Sequence, residues 1–403
     1  MKKKKKIRRL KFITAICAIV FMVEIIYVIN ALFFKNTESL YFDGINAIAR
    51  DGKYYVTVGS NNDNDLYYEK AKISIYNAKF EKKYEKLYNI GYNSAFFGVV
   101  IDDKSIVAVG SYEKEEAEHN DLIRRALIVK YDFDGNVLFE KDFKLLDNSR
   151  FTGIVCLEDG YLVTGQSVYK STKIGSNEGG AVLIKYDKDG NLLWSKTYGN
   201  NKNSVFNDLV VVDGNIYTVG TSDTHVGVLC KYDSEGNLIN HLDFLYTDDV
   251  GFTGIVSVND VLYVTGSSYY EDVVNAILLK YDLDCNYVDH VIYENDSTIR
   301  YNKLIYDDDE NIIAIGVLET KKVSRNSKTA DTFDYDGIIG KYNLDLKEIS
   351  VVTYGDERDD YFTDIQYVNG NYLVVGYSSY EDGSYLSKFI RYSEALKILG
   401  VEA

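Results

Sequence analysis

Three sequence markers recur in the same order seven times, and a chain built this way has few folds open to it. Each copy opens on an aromatic residue that leads into a short apolar run. The seven copies begin Phe42-Asp-Gly-Ile, Phe96-Phe-Gly-Val, Phe151-Thr-Gly-Ile, Phe206-Asn-Asp-Leu, Phe252-Thr-Gly-Ile, Tyr301-Asn-Lys-Leu and Phe362-Thr-Asp-Ile. A glycine then closes a second apolar run, at Gly59, Gly110, Gly165, Gly220, Gly266, Gly316 and Gly376. A tyrosine ends a third run, at Tyr76, Tyr131, Tyr186, Tyr232, Tyr281, Tyr342 and Tyr392. Six of these tyrosines follow a basic residue: Lys130, Lys185, Lys231, Lys280, Lys341 and Arg391.

Phe151 to Tyr198 is the clearest copy. It reads as four short strands, FTGIVCLE, YLVTGQS, AVLIKYD and LLWSKTY, with turns at Asp159-Gly160 and Asp189-Gly190. Val-, Ile- and Tyr-rich runs bounded by Asp-Gly are a hairpin signature, because glycine supplies the positive φ of a tight turn. A four-stranded sheet cannot bury both faces alone. Copies spaced 46 to 61 residues apart predict stacked sheets around an axis. The expected fold is therefore all-β: a seven-bladed β-propeller of four-stranded antiparallel blades over 41–403, with blades starting near 42, 96, 151, 206, 252, 301 and 362. The first strands should be innermost. Gly44, Gly98, Gly153 and Gly254 fit a crowded axis, and the residues that vary there, Asp208, Lys303 and Asp364, are expected near the central channel. Two closures are open. Either ALKILGVEA at the C-terminus supplies the fourth strand of blade seven, or residues 37–41 add to that blade.

The N-terminus predicts a second zone. Residues 1–11, MKKKKKIRRLK, form a basic tail, and residues 12–34 are mostly apolar, with Glu24 the one charged residue. As a helix the apolar stretch spans about 35 Å, enough for a hydrocarbon core of about 30 Å. Its length, and the poor cleavage site at Asn30-Ala31-Leu32, favour an uncleaved anchor over a signal peptide. A short linker, 35–40, would follow. The basic tail should stay cytoplasmic and place the bulk of the chain outside a single-pass cell membrane. Residues 1–35 carry net charge +8 and the rest −24. So acidic a domain argues against nucleic-acid binding, which needs Lys and Arg on phosphates. There is no proline, so turns rely on Gly, Asn and Asp. Cys17, Cys156, Cys230 and Cys285 show neither zinc nor disulfide spacing.

The motif KYDKDGNLLWSKTYG after DGYLVTG resembles secreted bacterial propeller repeats of the PQQ-like and SBBP type. The resemblance covers about 41–403 and implies a propeller without fixing an activity. It also implies that PQQ enzymes of this class use a tryptophan dock in nearly every blade. Trp194 is the only tryptophan here, with Phe139 and Asn240 as its counterparts in the neighbouring blades. No PQQ or other cofactor is expected.

Few residues carry recognisable chemistry. Tyr131-Asp-Phe-Asp-Gly135-Asn and Tyr186-Asp-Lys-Asp-Gly190-Asn have an Asp-x-Asp-Gly run open to Ca²⁺, but lack a distal Glu. A hairpin turn in which Asp and Asn bond their own backbone is the simpler expectation. His119, His225, His241 and His290 have no metal spacing, and no nucleophile elbow, phosphate loop or HExxH is present. The loops between second and third strands vary most and are rich in aromatics: Tyr67, Tyr68, Tyr112, Tyr169, Tyr269, Tyr270, Tyr377, Tyr380 and Tyr385. Tyrosine on a loop gives a large contact area at low entropic cost. The leading expectation is an interaction module that binds protein or glycan through this face. A glycan hydrolase or lyase with its site at the channel mouth, and an envelope-assembly scaffold, are the alternatives.

Overall fold

The computed structural model describes residues 43–402 apart from 63–67, 89, 117–120, 169–178, 200–203, 223–224, 245–248, 271–272, 294–296, 323–331, 356–357 and 380–383. The basic tail 1–11, the apolar segment 12–34 and the linker 35–40 lie outside the described residues. Among the described residues there are 28 strands, and they pair antiparallel in seven consecutive groups of four, in the order first, second, third, fourth. Blades two and three are also joined by one parallel bridge, Arg124 to Asn148. The first strands of the seven blades are Asp43–Arg50, Tyr92–Asp102, Asn148–Cys156, Val205–Val212, Asp249–Val258, Ile299–Tyr306 and Asp359–Val368. Residues from all seven line one axial cavity.

The markers have a common physical cause. Each first strand carries a β-bulge just after its marker residue, so Phe206 pairs with Gly220 while Asp208, two residues on, pairs with Val219. The bulge turns the carbonyl of the preceding residue against the second strand. A Cβ on Gly220 would lie 1.8 Å from the Val205 oxygen, and one on Gly376 1.8 Å from the Tyr361 oxygen. Only glycine fits opposite such a bulge.

This register corrects the alignment of blade one. The residue opposite Gly59 is Ile45, and the bulge falls between Ile45 and Ala47. The first copy is thus Ile45-Asn46-Ala47-Ile48, three residues later than Phe42-Asp-Gly-Ile. Gly44 is the residue whose carbonyl faces Gly59, and Ala47 takes the place held by Gly98 in blade two. The aromatic at 42 was a misleading anchor, because bulge position rather than aromaticity sets the register.

The first and third markers are two halves of one contact. Phe96 meets Tyr131 edge to face at 6.4 Å, Phe151 meets Tyr186 at 6.4 Å, Phe206 meets Tyr232 at 6.3 Å and Tyr301 meets Tyr342 at 6.3 Å. All eight rings are buried. Edge-to-face pairs of this kind contribute about 0.5–1.5 kcal/mol beyond their burial.

Among the described residues, blades seven and one share no strand. Blade seven takes its fourth strand, Ile398–Glu402, from the C-terminal stretch. The alternative involving residues 37–41 lies outside the described residues. Across the seam Asp364 Oδ2 accepts from Ile48 N at 2.9 Å, and Thr363 Oγ1 donates to the Ile45 carbonyl at 2.7 Å. Lys72, buried at this seam, pairs with Asp43 and donates to Ser387 Oγ at 3.1 Å.

The Asp-x-Asp-Gly turns are self-bonded. Asp132 Oδ1 accepts from Asp134 N at 3.0 Å and Asn136 N at 2.8 Å, while Asn136 Nδ2 donates to Oδ2 at 2.8 Å. The same set recurs at Asp187, Asp233 and Asp282. These carboxylates are committed to the turn.

Candidate functional site at the axis and the loop face

The bulge aims one side chain per blade around the axis, and most of these residues donate to the carbonyl of the next blade's marker. Asn46 donates to Phe96 O at 2.8 Å, Thr152 to Phe206 O at 2.5 Å and Asn207 to Phe252 O at 2.7 Å. Thr253 donates to Tyr301 O at 2.7 Å, Asn302 to Phe362 O at 2.8 Å, and Thr363 returns to Ile45 O. Six of seven steps are made. Blade two supplies Phe97, which has no donor, so its step to Phe151 is missing. This belt escaped the sequence reading. Its signal was present as Thr or Asn directly after the marker aromatic.

Asp208, Lys303 and Asp364 line the axial cavity, which measures about 170 Å³. Lys303 Nζ lies 2.8 Å from Asp208 Oδ2, which also accepts from Ile255 N of the next blade at 3.2 Å. Asp364 accepts from Ile48 N and, through Oδ1, from Ile365 N at 2.8 Å. Burial pushes the Asp364 carboxyl up to about 6, against the pull of Lys303. Burial lowers Lys303, but the Asp208 and Asp364 charges outweigh it and hold the ammonium above its usual value. Both carboxylates join neighbouring blades. Among the described residues no group of three or more His, Cys, Asp or Glu is placed to hold a metal.

The loop-face tyrosines divide. Tyr67, Tyr169 and Tyr380 lie outside the described residues. Tyr112 is a correction: it sits inside strand Ser105–Glu116, only 4% exposed, and its hydroxyl donates to Asp142 at 3.2 Å. The strands of blade two run further than the loop assignment allowed, and the pleat turns Tyr112 into the core. Tyr269 and Tyr270 end the strand Val261–Tyr270 and are exposed. Tyr68 packs on Tyr92 with ring centroids 4.7 Å apart. Tyr377 and Tyr385 fall in strands and join a cluster. Tyr361 stacks on Tyr377 at 5.0 Å, Tyr385 meets Tyr377 at 5.5 Å, and Tyr335 lies 5.7 Å from Tyr361. All four are half-buried, and burial raises the Tyr361 and Tyr377 hydroxyls, so both remain neutral donors. Tyr361 and Tyr335 were missed: Tyr361 sits in a first strand and meets Tyr377 by cross-strand pairing, while Tyr335, in the third strand of blade six, reaches Tyr361 by packing between blades.

On the opposite, turn-bearing face Asp102 gathers cations. Lys188 Nζ lies 2.8 Å from Oδ1, Lys130 Nζ 3.4 Å from Oδ2, and Tyr161 donates at 2.5 Å. The set recurs in blades six and seven as Asp307, Lys341 and Tyr372, which marks it as construction. Against the cost of burial, the hydrogen bonds from Lys188 and Tyr161 and the two lysine charges hold Asp102 down at about 2. A depressed carboxylate stabilises the fold above its unfolded value and loses that contribution as pH falls through the folded value. Asp102→Asn is therefore expected to cost about 1–2 kcal/mol at neutral pH, after discounting for solvent screening. The difference from the parent should close between pH 4 and pH 2 in urea melts.

Trp194 covers the turn of the next blade, with its ring against Gly236. Phe139 covers Gly190 and Tyr84 covers Gly135 in the same way. Asn240 instead donates to the Asp284 carbonyl at 2.8 Å.

No protein-family model and no curated protein matches this sequence. Among solved structures the chain is similar to Sqt1 from Chaetomium thermophilum, at 12% identity and a TM-score of 0.50, over 90% of this chain and 85% of that one. It is also similar to a chain from a study of two prolyl endopeptidases, at 11% identity and a TM-score of 0.51, over 93% of this chain and 52% of that one. The β-propeller domain of the Trilobed protease from Pyrococcus furiosus gives 10% identity and a TM-score of 0.48, over 87% and 93%. The first two likenesses bear on the fold alone. They assign no sequence family, so the resemblance to PQQ-like and SBBP repeats holds at the level of the fold.

Proposed function

We propose that this chain is a membrane-anchored extracellular seven-bladed propeller that binds a protein or glycan on its loop face. The observation that carries the reading is the run Tyr335, Tyr361, Tyr377 and Tyr385, four half-buried rings in successive contact that link one end of blade six to blade seven. Clustered tyrosines on a preformed surface supply the rigid, amphipathic contact area on which binding hot spots are built. The axial carboxylates support binding over hydrolysis, since both are tied to backbone N–H groups. The anchor rests on the basic residues 1–11 and the apolar residues 12–34.

The test uses the full-length protein in detergent against a panel of soluble glycans and surface proteins. For whichever ligand binds, Tyr361→Ala and Tyr377→Ala should each cost about 2 kcal/mol of affinity. Tyr270→Ala, in blade five, should cost little. Unchanged affinity in both blade-seven variants, with their melting temperatures preserved, would remove the tyrosine run from the site.

A further inference from the structure

Arg150 is out of place in so acidic a domain. It stands in the first strand of blade three, beside the one gap in the axial belt, and lines a cavity of about 270 Å³ with Phe97, Thr152, Asn207, Thr253 and Asn302. Among the described residues no carboxylate or hydrogen-bond acceptor meets its guanidinium, and its Nε is buried without a partner. The charge that bears on it is another guanidinium, Arg124, which pairs with Glu113 at 2.9 Å. Burial, and then Arg124, lower the Arg150 pKa from its ordinary value. Arg150 is half-buried, and with its Nε shielded from solvent and unpartnered it gains free energy from a ligand that supplies an acceptor and a negative charge.

The rest of the cavity narrows what that something is. The belt residues spend donors on backbone carbonyls: Asn207 and Asn302 one of the two N–H groups on Nδ2, Thr152 and Thr253 their only Oγ1–H. What they retain toward a ligand is hydroxyl lone pairs, amide oxygens and one further N–H on each Asn. A floor rich in acceptors favours a ligand that brings O–H donors over a bare anion. The guanidinium takes a carboxylate, with which its fork forms paired hydrogen bonds. Phe97 adds an apolar wall where the other six blades carry Asn or Thr.

We propose that the loop-side mouth of the axial cavity is a binding site for a hydroxylated carboxylate of about one sugar ring, with Arg150 holding the carboxylate, the Asn and Thr belt accepting from hydroxyls and Phe97 packing against the carbon face. The site does not depend on the tyrosine run of blades six and seven.

Glucuronate, glucose and inorganic phosphate serve as probes of the full-length protein in detergent, followed by calorimetry. Glucuronate is expected to bind at least tenfold more tightly than glucose, the step given by one charge-assisted hydrogen-bond pair. Phosphate should bind more weakly than glucuronate. Arg150→Gln should lose glucuronate at least tenfold while its melting temperature holds or rises, because no native partner is removed. Leu193→Ala, exposed on the fourth strand of blade three, should leave glucuronate binding unchanged. Equal binding of glucuronate and glucose, phosphate matching glucuronate, or no glucuronate binding at millimolar concentrations would overturn the proposal. A sharp fall in the melting temperature of Arg150→Gln would do the same, by making Arg150 a structural residue.

Discussion

Gly220→Ala is expected to leave the protein largely unfolded under conditions where the parent is fully folded. The new methyl group would lie 1.8 Å from the Val205 oxygen, which the bulge of the first strand presses against the second. The obstacle is backbone on both sides, so no rotamer change relieves it. Either the bulge flattens, which pulls Asn207 off the Phe252 carbonyl, or the strands part. A loss of about 4 kcal/mol or more is anticipated, at the top of the range for single substitutions. Urea unfolding followed by circular dichroism measures it. Gly214→Ala is the control. Its φ is +77° and nothing lies within 4 Å of the added Cβ, so only the left-handed backbone resists, at about 1–2 kcal/mol. Comparable losses in the two variants would show that the bulge carbonyl is not the cause.

Phe252→Ala is expected to cost about 3–5 kcal/mol, the usual range for emptying a buried aromatic site. Phe252 is fully buried, packs against Phe244 with centroids 5.8 Å apart, and faces Gly227 of the preceding blade. A Cβ on Gly227 would lie 2.9 Å from the Phe252 ring, so Gly227→Ala alone should also destabilise. The two changes should not add. With the ring gone the extra methyl fills part of the vacated space, and the double variant should be more stable than the sum of the single losses by about 1 kcal/mol or more. Additive losses would mean that the two blades do not meet through this pair.

How much of this was legible in the sequence depended on period and chemistry. The repeated Gly, Tyr and aromatic positions gave strands and four-stranded units, because the physical demand recurs and each copy reports on the others. The alignment failed in blade one, where Ile45 replaces the aromatic and a nearby Phe42 offered itself instead. The belt was overlooked for a related reason: a Thr or Asn after an aromatic is unremarked in any single copy, and its partner lies in the next blade. Asp208, Lys303 and Asp364 drew notice as departures from a glycine-rich position. Arg150 did not. Its neighbours in sequence are ordinary, and the absence of a counter-ion is a fact of three-dimensional surroundings. Tyr335 and Tyr361 were hidden in strands, while Tyr112 was assigned to a loop that the longer strands of blade two absorb.

Because among the described residues no strand crosses from blade seven to blade one, every described sheet is made from one uninterrupted length of chain. Any connection between blades is therefore an equivalent place to begin and end the polypeptide. A circular permutant opened between Gly199 and Ser204, with the ends of the propeller joined by a short linker, would keep all four strands of each blade in their present order. What such a cut tests is whether the covalent path matters to assembly, since side-chain and belt contacts already close the ring where the backbone does not.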